Sequence, residues 1–213
     1  MTEDQEYIYQ SIVSQIRMGF FSMEQIKEHI MEEVEDNGFE DEISEEWIDS
    51  AIKTEFEKLK IESGAWEIAT QTDKLIHAFD ELCELNIIAL HNAGYTTSDG
   101  ESEVVEVEVE LRENGIQSDG YCFYHQQDLE RAIDPEQSML LIAFQKINNE
   151  DDAVTIAVGK VVVQILRKHG LEVVWDETVN KKIELPGFKW QKIYNEYYED
   201  LLDYSRVVSL MTK

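Results

Sequence analysis

Three stretches in the second half of the chain decide the fold, and they read 87-IIALHNAGY-95, 120-GYCFYHQQD-128 and 171-LEVVWD-176. Each is a short apolar run that ends in polar or aromatic residues, which is typical of a buried strand followed by a loop. Because helical patterns lie between these runs, they predict a mostly parallel sheet with right-handed crossover helices. Ligands bind beyond the carboxyl ends of the strands in such sheets, so we expect the functional residues there.

The same patterns place the other elements of this half. We predict strands over residues 86–91, 121–125, 139–145, 171–175 and 182–185, and helices over residues 127–133 and 153–168. Residues 101–112 alternate as a strand would but also fit a helical stripe; the Asn114-Gly115 stop and the need for a crossover favour the helix. The aromatic run 190–211 predicts one long C-terminal helix, which packs on the sheet or, as the alternative, mediates a homodimer.

Four amphipathic helices are predicted in the first 84 residues. The first spans residues 4–18, and Ser22 lies in a capping-box pattern that starts the second. Ser44 is expected to cap the third helix, and Thr72 or Asp73 to start the fourth.

The expected fold class is therefore α/β, with α+β as the alternative. A helical N-terminal region precedes a mixed, mostly parallel sheet with crossover helices and a C-terminal helix. We divide the chain into an acidic helical region, residues 1–84, and an α/β domain, residues 85–213. Since no Pro- or Gly-rich linker separates them, we expect the two regions to pack as one unit.

The charge balance is strongly acidic. The chain has 46 acidic and 18 basic residues, and a net charge of −28. Residues 1–66 hold 18 acids and five bases, against 28 and 13 in the remaining 147 residues, so the N-terminal third is the most acidic part. Such a field repels nucleic acid and anionic membranes and attracts a basic protein partner; the alternative is that it serves solubility alone.

Two features predict a cytoplasmic protein. Cys83 and Cys122 form neither a metal-binding spacing nor a disulfide framework, which suits a reducing compartment. The acidic N-terminus has no cationic stretch followed by an apolar core, and no run approaches the roughly 18 apolar residues of a membrane helix.

Several blocks of the second half resemble a known family. They are 89-ALHNAGYT-96, 98-SDG-100, 121-YCFYHQQDLERA-132, 158-VGK-160, 174-VWD-176 and 188-FKWQ-191. In this order they resemble an uncharacterised bacterial family, the domain of unknown function number 6891. The resemblance covers about half of the chain, and more loosely the helical N-terminal third. It implies a bacterial, cytoplasmic protein and brings no activity, cofactor or catalytic residue.

Two histidines follow the first two predicted strands. If these strands are parallel neighbours, His91 and His125 emerge on the same edge of the sheet, and Asp128 lies one helical turn beyond His125. These three residues are the candidate catalytic or metal-binding set, because imidazoles with carboxylates hold a divalent metal or carry out acid–base chemistry. No established metal motif such as His-Glu-x-x-His is present. The alternative is that the histidines bond strand ends and loops, and that Asp128 caps a helix.

Four other residues are candidates for ligand binding: Asp99, Arg131, Asp176 and Lys181. The guanidinium of Arg131 suits an anionic ligand group, and Lys181 with Lys182 could serve similarly. An ion pair with a neighbouring acid is the ordinary explanation of Arg131. Neither a Gly-x-Gly-x-x-Gly nor a Walker pattern occurs, so no cofactor is predicted. Cys122 lies inside a strand and is expected to be a core residue rather than a nucleophile.

The sequence leaves two hypotheses for function. The first is a non-catalytic acidic interaction protein that binds or neutralises a basic protein partner, because the charge is extreme and no catalytic signature is present. The alternative is a metal-assisted or hydrolytic enzyme that uses a His/Asp pocket at the carboxyl edge of the sheet.

Overall fold

A computed structural model describes all 213 residues, and the backbone forms two compact units. The first, which we call the helical unit, consists of residues 1–68 and 191–199. The second, the sheet unit, consists of residues 69–190 and 200–213. The sequence patterns placed the division after residue 84, whereas the compact units separate between Ile68 and Ala69.

The helical unit is built from three capped helices: α1 (Glu3–Met18), α2 (Met23–Asn37) and α3 (Glu45–Ser63). The predicted capping box at Ser22 is confirmed, because its hydroxyl accepts the Gln25 amide and the Gln25 side chain returns to the Ser22 amide. Ser44 caps α3 as predicted. Seven isoleucines that lie at helical spacing form most of the core, each worth about 2 kcal/mol when fully buried: Ile8, Ile12, Ile16, Ile26, Ile30, Ile48 and Ile52.

The sheet unit contains four strands in the order β1-β2-β3-β4. Along the chain, a helix precedes and a helix follows each strand. Its elements are α4 (Gln71–Glu84), β1 (Ile87–Leu90), α5 (Thr97–Glu113), β2 (Gly120–Phe123), α6 (Gln126–Ile133), β3 (Met139–Gln145), α7 (Asp152–Lys168), β4 (Ile183–Pro186) and α8 (Tyr204–Met211). Residues 101–112 are therefore helical, and Val104, Val107 and Leu111 are the side chains that α5 buries.

The predicted α/β arrangement with a mixed sheet is confirmed. Strands β1 and β2 are parallel, with Leu90 opposite Phe123, whereas β2/β3 and β3/β4 are antiparallel. The 17-residue helix α5 provides the crossover that a parallel pair requires. The sheet is not mostly parallel as expected, because two of its three strand pairs are antiparallel. The chain enters β3 beyond the carboxyl end of β2 and runs back along it.

The predicted strand over residues 171–175 is wrong. Only Val174 forms a bridge there, exchanging both backbone hydrogen bonds with Glu184 at 2.9 Å. The apolar pattern arises because Leu171 and Val173 are buried while Val174 is exposed. The apolar residues in 171–175 therefore reflect burial of side chains and not membership of a strand.

The predicted single C-terminal helix is also wrong. Residues 190–195 have no helical structure, a 3₁₀ helix spans Glu196–Leu202 with a non-helical Tyr198, and α8 begins separately. The side chain of Asp203 accepts the Ser205 amide and so starts a new helix where the sequence pattern continues. The fourth helix, α4, likewise begins earlier than predicted, because Thr70 rather than Thr72 or Asp73 is its cap. None of the helices combines the length and the apolar character that a membrane span requires.

Gly159 of α7 packs directly against two aromatic rings. A Cβ added there would lie 2.6 Å from the Trp175 ring and 2.7 Å from the Phe144 ring, and these two rings already pack edge to face at 5.1 Å.

We expect Gly159→Ala to lower the free energy of unfolding by about 1–3 kcal/mol, because overpacking against two rigid rings outweighs the better helix propensity of alanine. Urea denaturation measures the change. Gly64→Ala is the control, since Gly64 has right-handed helical angles and only the Ile61 carbonyl near its Cβ position, at 3.3 Å. Equal stability of Gly159→Ala and the wild type would contradict the packing argument.

Candidate functional site

The two histidines follow adjacent parallel strands, as the sequence predicts. Since Leu90 pairs with Phe123, His91 and Tyr124 leave the sheet at the same level, and His125 lies one residue further along. Both imidazoles are buried, with 8% and 4% of their surface exposed.

His91 has an aromatic environment. Its ring stacks on Phe79 with 4.6 Å between centroids, and its Nδ1 lies 3.1 Å from the Tyr124 hydroxyl. None of these contacts involves a carboxylate. His91 therefore packs among aromatic rings of the sheet unit, and it forms no metal-binding group with His125 and Asp128.

His125 acts as the N-cap of α6. Its Nδ1 accepts the backbone N–H of Asp128 at 3.3 Å, so the neutral ring carries its proton on Nε2. Nε2 lies 3.1 Å from Asp128 Oδ2 and 3.1 Å from the Thr97 hydroxyl. Burial lowers the pKa of His125, the Asp128 carboxylate opposes that shift, and Lys182 and Arg131 add to it.

Asp128 is a buried carboxylate, only 1% exposed, that is neutralised by two cations. The ammonium of Lys182 is 2.7 Å from Oδ2 and the guanidinium of Arg131 is 3.0 Å from Oδ1. Lys182 Nζ and His125 Nε2 are 2.8 Å apart because both donate to the same oxygen. We call His125, Asp128, Arg131, Lys182 and Thr97 the carboxylate cluster.

The carboxylate cluster lacks the geometry of a nucleophilic relay. In such a relay the carboxylate binds the imidazole Nδ1 and leaves Nε2 to take the proton of a hydroxyl. Here a backbone amide occupies Nδ1 of His125, and Asp128 meets the same nitrogen as Thr97. The cavity beside Thr97 and Lys182 measures about 170 Å³. Ligand pockets usually measure about 300–1,000 Å³, so this one is small.

The predicted metal set is not assembled either. No group of three or more His, Cys, Asp or Glu side chains in the chain is arranged to hold a metal ion. His91 lies among aromatic rings, while both carboxylate oxygens of Asp128 are paired with Lys182, Arg131 and His125.

The four ligand-binding candidates have local partners. Asp99 accepts the amide and hydroxyl of Thr96 at 2.8 Å, which caps α5 and lowers the pKa of Asp99. Asp176 accepts the Thr178 hydroxyl at 2.7 Å, which lowers its pKa, and lies 3.4 Å from Lys181. Of the four, only Arg131 belongs to the carboxylate cluster; Lys181 borders the small cavity next to it.

Both cysteines are buried: Cys122 is completely buried and Cys83 is 2% exposed. Burial raises the pKa of Cys83 to about 12 and that of Cys122 well above its usual range. A thiol that does not ionise near neutral pH is no nucleophile, so both are core residues.

Sequence reasoning missed Thr97 as a member of the carboxylate cluster, and it did not single out Lys182 from its neighbour Lys181. Thr97 is the first residue of α5, and Lys182 directly precedes β4. The paired lysines 181 and 182 before an apolar strand were the available signal, but the sequence favoured the exposed Lys181 over the half-buried Lys182.

A larger cavity lies in the helical unit, between α2 and α3, and we call it the α2–α3 groove. Its volume is about 480 Å³. The floor is apolar and is lined by Met31, Val34, Ile43 and Ile48. The rim is acidic and is lined by Glu28, Glu32, Glu35, Glu40 and Glu45. Sequence analysis found these helices and their excess of acids but not the groove, because it depends on how α2 and α3 pack.

The rim of the α2–α3 groove is almost free of counter-charge. Glu45 is the only one of the five glutamates in a salt bridge, with Lys27 at 2.7 Å. The floor offers apolar surface chiefly through Met31, which is 42% exposed. Exposed apolar surface under unneutralised carboxylates favours a ligand that is both basic and apolar.

Comparison with known proteins gives a family and no activity. A family model described as a domain of unknown function (DUF6891) matches residues 1–194. No curated protein and no solved structure matches the chain.

We expect Asp128→Asn to lower the free energy of unfolding by about 3 kcal/mol, because it leaves Lys182 and Arg131 without their anion in a buried site. Urea denaturation measures the loss, and the exposed Asp119→Asn should cost less than about 0.5 kcal/mol. Adding Lys182→Met to Asp128→Asn should restore part of the loss. Equal effects of Asp128→Asn and Asp119→Asn would contradict the role of the cluster.

The lowered pKa of His125 predicts a pH dependence of stability. Between its folded pKa and the ordinary value of about 6.5, the unfolded chain binds a proton that the folded chain does not, so stability falls as the pH drops through this window. We expect His125→Gln to lose less stability than the wild type between about pH 7.5 and pH 5.5.

Urea midpoints at the two pH values test this dependence, and His77→Gln, which removes an exposed histidine of α4, is the control. A loss in His125→Gln as large as that in the wild type would show that His125 is not the titrating group.

Proposed function

The chain belongs to the family of the domain of unknown function DUF6891, and from the geometry we propose that it is a non-catalytic interaction protein that binds a basic protein partner.

The α2–α3 groove is the observation that carries this proposal. Four of its rim glutamates have no cation within salt-bridge distance, and they surround an apolar floor. Lys and Arg side chains of a partner would neutralise the rim and speed association, while apolar contact with the floor would supply affinity. A surface that served solubility alone would not need a concave apolar floor.

The distribution of charge in the helical unit agrees with this proposal. Residues 1–66 carry 18 acids against five bases, so the groove lies in the most acidic part of the chain. The field around the unit would draw a basic partner toward the groove before contact is made.

The enzyme alternative draws less support. A hydrolytic or metal-assisted mechanism needs a proton acceptor or a ligand set next to a pocket. The proton on Nε2 of His125 faces the Asp128 carboxylate, and the adjacent cavity has a volume of about 170 Å³.

We expect the wild-type chain to retain basic proteins from a lysate of its source organism, and to release them when salt rises from about 50 mM to about 300 mM. A groove variant that replaces Glu28, Glu32, Glu35 and Glu40 with Gln should lose the same proteins, because it removes the unneutralised rim. Quantitative mass spectrometry of the retained fractions measures both losses.

The control variant replaces four exposed glutamates of the helical unit that lie outside the groove: Glu6, Glu24, Glu46 and Glu57. It changes the net charge by the same amount and should still retain the partner. Equal retention by the groove and control variants would contradict the proposal.

A further inference from the structure

We infer that the α2–α3 groove accepts an amphipathic, basic α-helix of the partner protein, an inference that rests on the proposed function. The apolar face of this helix would lie on the floor, and its Lys and Arg residues would flank that face and meet the rim glutamates.

The walls of the groove favour a helix over an extended segment. The groove is lined by α2, by α3 and by the loop between them, and the helical unit contains no strand. An extended peptide would find no strand edge to pair with, so its backbone N–H and C=O groups would face the apolar floor without partners. A helix satisfies its own backbone groups and presents only side chains.

The rim has the spacing of a helical stripe. Glu28, Glu32 and Glu35 recur at i, i+4 and i+7 along α2, a row about 10 Å long. Glu40 and Glu45 lie on the loop and at the start of α3. Cations repeated every three or four residues on a partner helix match the row on α2.

Met31 gives the floor its capacity to adapt. It is 42% exposed, whereas Val34, Ile43 and Ile48 beneath it are each less than 5% exposed. An unbranched thioether repacks around apolar side chains of different shape, which suits a helix whose anchors recur at i, i+3 or i+4 and i+7.

Three synthetic peptides of identical composition test this inference by fluorescence anisotropy. Each peptide contains one D-proline. The first peptide places its Leu residues in one helical stripe flanked by Lys and Arg, with the D-proline at a terminus, and the second has the same residues in scrambled order. The third keeps the stripe but exchanges the terminal D-proline with a central residue, which breaks the helix. We expect the striped peptide to bind at least about tenfold more tightly than either of the others, a difference of about 1.4 kcal/mol. Circular dichroism should report helix formation on binding.

Two outcomes count against the inference in different ways. Equal, salt-sensitive binding of all three peptides overturns the helical occupant and leaves a basic partner standing. Failure of every peptide to bind, at low salt and at high protein concentration, overturns the helical occupant and the proposed function together.

A matched pair of variants locates the binding site. Met31→Ala should weaken binding of the striped peptide about tenfold, because it removes the exposed apolar side chain that the peptide would cover. Met23→Ala should change it less than about twofold, since Met23 is 43% exposed on the same helix but does not line the groove. Equal effects of the two variants would place the peptide elsewhere and overturn the inference.

Discussion

The arrangement of the sheet unit depends on the ion pairs and the hydrogen bond that the buried Asp128 carboxylate forms. This carboxylate lies on α6, and it draws together the imidazole that follows β2, the ammonium that precedes β4 and the guanidinium one turn along α6. A carboxylate with 1% exposure is tolerated only when its charge is matched, and two cations with an imidazole N–H match it here. The carboxyl edge of β2, where ligands enter many α/β proteins, is thereby filled with the protein's own charges.

Local patterns predicted most of the elements and little of their pairing. The capping box at Ser22 and the run 139–145 came out as expected, because caps and apolar periodicity are encoded within a few residues. The direction of β3 and the absence of a strand at 171–175 were not predictable, since both depend on distant partners. The break at Asp203 was missed because an aromatic stripe hides a local cap.

The candidate site was also predicted only in part, because the surroundings of its side chains depend on distant residues. Adjacent parallel strands at His91 and His125 followed from the sequence, but which side of the sheet each ring faces did not. His91 packs against aromatic rings, and His125 lies in the carboxylate cluster. The helical unit differs, because four of the five glutamates that line the α2–α3 groove have no cation within salt-bridge distance. One part of the chain neutralises charge internally, and the other displays it.

The irregular segment beside β4 has a consequence for the behaviour of the chain at high concentration. An open sheet has two margins that invite strands from other molecules. One margin, β1, is fully buried and contacts α4, α5 and α8, and the other is occupied where Val174 pairs with Glu184. A stretch too irregular to count as a fifth strand thus acts as a cover, and it protects the protein against edge-to-edge aggregation.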